Sequence, residues 1–199
     1  MGAVERDEFL RLAWRELVAG ELDGKRFVFV DEMGTNTSLA PLYGWAPTGK
    51  RVYFEVPRNW GKNMTLLSSM SFEGMEASLV VEGPTTKEVF QAYVERVLAP
   101  TLRRGQIVVM DNLSSHKGER VRELIEERGC ELLYLPPYSP DFNPIEQAFS
   151  KIKGLLRKAE ARSRKALIEA IGVALDAVSP SDARGFFEHG GYHSLVQWL

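Results

Sequence analysis

Three carboxylates stand at distinctive places in this chain of 199 residues. Asp31 closes the run Lys25-Arg26-Phe27-Val28-Phe29-Val30, and Asp111 closes Gln106-Ile107-Val108-Val109-Met110. Glu146 follows Leu135-Pro136-Pro137-Tyr138-Ser139-Pro140-Asp141-Phe142-Asn143-Pro144-Ile145, which holds four prolines in nine residues. Each proline ring fixes φ and disfavours helix in the residue before it, so this stretch reads as a stiff, extended arm. Asn143 suits a helix cap, Pro144 the first helical position, and Glu146 falls at the third, the spacing of a capping box. The arm therefore delivers a carboxylate to the first turn of a helix. If the three acids meet, they repel one another and each loses its hydration, a cost on the order of several kcal/mol. A cation is then required. No His/Cys cluster accompanies the acids, and oxygen-only ligands suit Mg²⁺ or Mn²⁺. Two such ions roughly 3.5–4 Å apart activate a nucleophile and stabilise the leaving oxygen of an in-line displacement at phosphorus.

Each acid also has a plainer reading. Asp at a strand end is common as a turn residue, and Asp111-Asn112 could cap a helix. Glu146 fits a capping box worth about 1 kcal/mol. Only the combination of two strand-end acids with an acid on a proline arm points to chemistry.

The elements that must bring them together are legible in outline. Hydrophobic residues at 44% and charged residues at 26% are ordinary globular values. The length fits one well-filled domain, or one domain with an appendage. No apolar run reaches the roughly 20 residues that span a bilayer, and no signal-peptide pattern is present, so a cytoplasmic location is expected. The lone Cys130 excludes an internal disulfide and a multi-cysteine zinc site. A net charge of −2 argues against a dedicated nucleic-acid-binding module, though not against an acidic enzyme site balanced by local basic faces.

Residues 1–24 read as an amphipathic helix or linker, with Phe9, Leu10, Ala13, Leu17 and Val18 as its apolar stripe. The unbroken apolar run before Asp31 implies a strand covered on both faces. Arg51–Val56, Asn63–Ser71 and Ala77–Val81 read as strands of an antiparallel meander. Helix over 85–98, strand over 106–110, helix over 117–128 and strand over 131–135 then alternate, which implies parallel pairing. Asn143–Lys158 and Arg164–Val178 read as amphipathic helices, and Ser179–Leu199 as an irregular tail. The fold class is α/β, a mixed sheet flanked by helices. The carboxyl edge of such a sheet is where ligands bind, and it would hold both aspartates.

The segments Phe29-Val30-Asp31-Glu32 and Val109-Met110-Asp111-Asn112-Leu113-Ser114-Ser115-His116-Lys117, with the arm from Leu135 to Glu146, resemble the catalytic domain of DDE transposases. The resemblance is to the mariner superfamily in its bacterial insertion-sequence branch, the insertion-sequence six-thirty family. It runs from about residue 25 to about residue 193, and the 34 residues between Asp111 and Glu146 fit the family's spacing. It implies an RNase H-like, five-stranded mixed sheet over 25–160, with 161–199 a helical extension packed on it. It implies that Asp31, Asp111 and Glu146 hold Mg²⁺ or Mn²⁺, two ions, and that the chain cuts transposon ends and transfers the freed 3′-hydroxyl to target DNA, usually at TA. An RNase H-like nuclease without strand transfer, or a non-catalytic DNA- or partner-binding remnant, are the alternatives. The partners implied are double-stranded DNA, a second copy in a homodimer, and an upstream helix-turn-helix frame or domain, within the nucleoid. Lys153 and Arg157 share the Glu146 helix face and could grip phosphates, or be a solvated face. Arg58, Trp60 and Lys62 form a basic-aromatic turn suited to DNA. His116, near a helix start, could touch substrate or serve as a cap.

Overall fold

The computed structural model describes residues 6–53, 55–56, 58, 61–113 and 116–195. Its five strands are β1 Phe27–Thr35, β2 Met64–Ser71, β3 Gly74–Glu82, β4 Ile107–Met110 and β5 Glu131–Tyr134. They form one sheet in the order β3-β2-β1-β4-β5. Pairing is antiparallel between β1 and β2 and between β2 and β3, and parallel between β1 and β4 and between β4 and β5. The change of direction falls at β1. A tight turn through Gly74, at φ 122°, joins β2 to β3, while the parallel strands are joined through helices, as parallel pairing requires. Those helices are α2 Lys87–Tyr93 and α3 Glu119–Glu126; α4 Ile145–Ala159, α5 Arg164–Asp176 and α6 Pro180–His189 complete the carboxyl half, and α1 Glu8–Ala13 precedes the sheet.

Alternation along β1 explains its unbroken apolar run. Phe27, Phe29 and Met33 join one buried cluster with Ile145, Phe149 and Ile152 of α4, Leu167 and Ile171 of α5, and Phe187 of α6. Val28 and Val30 face the opposite cluster, with Phe90 and Tyr93 of α2 and Val121 and Ile125 of α3. Each such side chain contributes about 1.5–3 kcal/mol on burial, so the middle of the sheet is the rigid part of the fold. The acids stand at its edge.

Three expectations are corrected. Residues 51–53, 55 and 56 form no strand, and Phe54 lies outside the described residues. Tyr53 is 84% exposed, and the place beside β1 is taken by β2, so this segment has no face to bury. The amino-terminal helix spans only Glu8–Ala13, continues as wider turns over Trp14–Ala19, and is rotated relative to its apolar stripe. Arg11, Trp14 and Ala19 are buried, whereas Phe9, Leu10 and Leu17 are exposed. The carboxyl-terminal stretch is not an irregular tail, because Pro180–His189 is helical. Ser179 and Asp182 form a reciprocal capping box with Pro180 at the first position, and Ala183 and Phe187 fill the core.

Candidate active site: a carboxylate cleft at the sheet edge

Val30 pairs with Met110 in the parallel register, so Asp31 and Asp111 occupy the next positions on neighbouring strand paths. Such paths run about 4.8 Å apart. Asp31 shares the parity of Phe29, which places it on the face that α4 covers, while Asp111 lies just past the end of β4. Asp31 is not the last residue of its strand. The ladder with β2 continues from Asp31↔Ser68 to Thr35↔Met64, so β1 outlasts β4 and leaves Asp31 in its middle. The residue is 6% exposed. Oδ1 accepts the Glu32 amide at 2.7 Å, and Oδ2 accepts the Asn143 side-chain amide at 2.7 Å. Burial pushes its pKa up to about 7 against the pull of the Glu32 amide, and the charges of Asp111, Glu146 and Glu32 push the same way. Asp111 Oδ1 accepts the Leu113 amide at 3.1 Å.

The arm starts where Leu135 donates its amide to Met110 at 2.9 Å, then leaves the sheet through Tyr138, held at φ 52°. Its far end is clamped by the amino-terminal segment. Arg11 forks onto Asp141 at 2.9 and 2.6 Å and lies 4.3 Å from the Phe142 ring centroid. The Trp14 indole donates to the Tyr192 hydroxyl at 2.8 Å, and that hydroxyl donates to the Phe142 carbonyl at 2.7 Å. Asn143 is extended and Pro144 helical, as the cap spacing implies. The reciprocal capping bonds are absent, however, because the Asn143 side chain turns to Asp31. Glu146 is therefore exposed in the first turn with no capping duty. A cleft of about 430 Å³ is lined by Asp31, Asp111, Glu146, Asn112, Leu113, Asn143 and the arm. The three carboxylates share it without closing on one point: among the described residues, no three Asp, Glu, His or Cys side chains are grouped tightly enough to hold a metal ion as they stand.

His116 is wholly buried, which corrects the expectation that it meets substrate. It stacks on Phe90, its Nε2 is 2.9 Å from Glu32 Oε2, and its Nδ1 is 2.6 Å from Asp111 Oδ1, close but out of line for a hydrogen bond. Burial opposes its charge, yet the Asp111 and Glu32 carboxylates beside its two ring nitrogens prevail and hold the pKa up to about 9. Lys153 and Arg157 are half-buried on α4 and carry no ion pair among the described residues. They lie about 10 and 16 Å beyond Glu146 along the helix. Arg58 is exposed on the β1–β2 connection; Lys62, at its end, pairs with Glu82 at 2.7 Å. None of these four lines the cleft, and Trp60 lies outside the described residues. Sequence reasoning missed Asn143 and Arg11 as supports of the site. Asn143 carried a cap signal that pointed elsewhere, and Arg11 carried none.

Comparison with known proteins gives a consistent picture. Residues 26–168 match the family described as DDE superfamily endonuclease. The transposable element Tcb2 transposase of Caenorhabditis briggsae is 24% identical over 169 residues, covering 79% of this chain and 62% of that protein. The crystal structure of the Mos1 mariner paired end complex with Mn matches at a TM-score of 0.70 and 18% identity, over 96% of this chain and 62% of its own. The structure of the Mos1 transposase catalytic domain and Raltegravir with Mg matches at 0.65 and 19% identity, over 92% and 85%. The fold is thus RNase H-like, a mixed five-stranded sheet flanked by helices. The chain spans about three fifths of the length of the Tcb2 transposase and of the Mos1 chain in the paired end complex.

Proposed function

The chain belongs to the DDE superfamily endonuclease family, and from that membership we propose that it is the catalytic domain of a DNA transposase that cuts transposon ends and joins them to target DNA. The observation that carries this reading is the convergence of Asp31, Asp111 and Glu146 on one cleft at the carboxyl edge of the sheet. The residues fit a divalent ion. Their donors are all carboxylate oxygens, and burial first, then the charges of Asp111, Glu146 and Glu32, push the Asp31 pKa up, a cost that a cation in the cleft would relieve. Asp31, Asp111 and Glu146 would hold Mg²⁺ or Mn²⁺, and two ions are our reading of the stoichiometry. Bound there, such ions neutralise phosphate charge and make water or a hydroxyl a better nucleophile.

The rest falls to the chain's own groups. The Glu32 amide and Asn143 fix both oxygens of Asp31, and the clamped arm fixes where Glu146 enters. Two phosphoryl transfers follow at one centre. In the first, water breaks a phosphodiester and leaves a 3′-hydroxyl; in the second, that hydroxyl attacks a target phosphodiester and displaces its 3′-oxygen. Lys153 and Arg157 are read as phosphate contacts beside this centre, with Arg58 and Lys62 as outlying ones. By family resemblance we assign the chain to the bacterial insertion-sequence six-thirty branch. We also assign it TA target sites, a homodimer, and an upstream helix-turn-helix segment that reads the element's ends. Relatives crystallised as a paired end complex and with Mn or Mg support the choice of DNA and divalent ion.

The test is nicking of supercoiled plasmid with Mg²⁺ or Mn²⁺, wild type beside Glu146→Gln, followed by joining of a pre-cleaved end to plasmid. Metal-dependent nicking and joining, both lost in the variant, are expected. Nicking without joining would turn the reading to a nuclease, and nicking that survives Glu146→Gln would remove Glu146 from the site.

A further inference from the structure

A fourth acid, Glu32, adjoins the cleft, and the proposed chemistry gives it no part. Asp31 and Glu32 are consecutive on β1, so alternation sends their side chains to opposite faces of the sheet. Asp31 lines the cleft and Glu32 does not. Between Glu32 and Asp111 stands His116, fully buried, its two ring nitrogens 2.9 Å from Glu32 Oε2 and 2.6 Å from Asp111 Oδ1. The ring is held independently of the acids. Phe90 of α2 stacks on it with centroids 4.1 Å apart and planes at 29°. Tyr134 of β5 donates its hydroxyl to the His116 carbonyl at 3.1 Å, and the His116 amide donates to Leu113 at 3.1 Å.

We propose that His116 is a positioning residue of the acid site, which ties Asp111 Oδ1 in place at the cleft edge and keeps the Glu32 carboxylate on the far face of the sheet. This rests on the reading of Asp31, Asp111 and Glu146 as the metal-holding set. Asp111 follows the last residue of β4, where no further strand pairing fixes it. Its Oδ1 is held by the Leu113 amide and approached by His116 Nδ1, while Oδ2 carries no bond among the described residues and is the oxygen left for a ligand. Without the ring, Asp111 can turn about its side-chain bonds, and Glu32 loses the partner that draws it away. Groups that orient a metal-binding carboxylate in this manner typically alter metal affinity 10–100-fold when replaced.

The two nitrogens can be tested apart. In His116→Asn the shorter amide reaches the place of Nδ1 and can keep the Asp111 contact; in His116→Gln the longer one reaches the place of Nε2 and can keep only Glu32. Both lose the Phe90 stack, so a merely structural role weakens both alike. Calorimetric titration of Mn²⁺ into the whole chain is expected to show affinity within about threefold of wild type for H116N and at least about tenfold weaker for H116Q. Any other ordering overturns the proposal. Should either variant lack a cooperative thermal transition, Glu32→Gln decides. It leaves the Asp111 contact intact and is expected to bind Mn²⁺ within about threefold of wild type, whereas a loss of about tenfold would make Glu32 itself a ligand and overturn the proposal. Asp111→Asn is the control: if it binds as tightly as wild type, or if wild type binds no Mn²⁺, the acid-site reading fails and this assignment falls with it.

Discussion

Asp31 is a carboxylate kept almost out of water beside other acids, and its two hydrogen bonds, from the Glu32 amide and Asn143, do not offset that burial. Replacing it with Asn removes the charge while keeping the shape and one acceptor oxygen. Asp31→Asn is therefore expected to raise the stability of the metal-free chain at pH 7.5 by on the order of 1–3 kcal/mol, seen as a higher thermal midpoint in EDTA. A lower midpoint would show that the bonds to Asp31 outweigh its desolvation and repulsion. The same variant is expected to lose nicking, so stability and function separate at this residue. The three acids of the cleft were legible in the sequence because an aspartate closing an apolar run and a proline arm are local patterns. The groups that hold them were not. Asn143 has the spacing of a cap, and its backbone obeys that spacing, yet its amide goes to a residue 112 positions away. Spacing fixes where a side chain starts, while its direction is decided by which buried acceptor most needs a donor.

The arm that carries Asn143 and Glu146 is held in place by a helix that the sequence pattern set aside. Along α1 and its continuation the buried face runs through Arg11, Trp14 and Ala19 rather than Phe9 and Leu17: Arg11 meets the polar end of the arm, while Trp14 and Ala19 join the apolar cluster. Hydrophobic periodicity detects only apolar partners, which is why the helix was legible and its orientation was not. The Arg11–Asp141 pair is lopsided: the Arg11 side chain is 3% exposed and that of Asp141 49%. Removing Asp141 leaves a buried cation with only the exposed Glu8 carboxylate, 3.8 Å away, as counter-charge among the described residues, whereas removing Arg11 leaves a carboxylate that water can reach. Asp141→Ala is thus expected to cost on the order of 3 kcal/mol and Arg11→Ala less, despite the larger truncation in Arg11→Ala. Chemical denaturation checks the order, and equal losses would mean that packing on Phe142 dominates. The pair also sets an acid limit. Hydrogen bonding to Arg11 holds the Asp141 carboxyl below its usual range, even though partial burial opposes this. The stability it contributes is complete above the unfolded carboxyl value of about 3.9 and is lost as pH falls through the lower folded value. Hydrogen exchange over Glu8–Ala19 should accelerate ahead of the sheet below about pH 4 in wild type. In Asp141→Ala this step should be absent.

Taken as one body, the chain is slightly acidic, with a net charge of −2 and a pI near 6.0, and a DNA duplex would meet little general attraction. Among the described residues no helix is long and apolar enough to cross a membrane. Any grip on DNA must come from cations placed locally, and most basic side chains around the carboxyl end of α4 are already engaged. Lys151 pairs with Asp182 at 2.6 Å, Arg164 with Glu82 at 2.9 Å, and Arg162 donates to the Thr37 and Leu39 carbonyls at 3.1 and 2.8 Å. The first ties α4 to α6, and the others pin the start of α5 and the root of the β1–β2 connection, so their cations act as structure. Lys153 and Arg157 differ in carrying no such partner among the described residues, on the same run of α4 that begins with Glu146. If they meet phosphates, each contact releases condensed counterions, and the slope of log affinity against log salt falls by about 0.9 per contact for duplex DNA. The double variant Lys153→Ala, Arg157→Ala should therefore bind a duplex more weakly, with a slope shallower by about 1.8, while its thermal midpoint stays within a degree or two because no ion pair is broken. A matched variant at Lys158, exposed at the end of the helix, should leave the slope unchanged. Equal slopes for wild type and the double variant would make these two side chains a solvated face and move the DNA path away from α4.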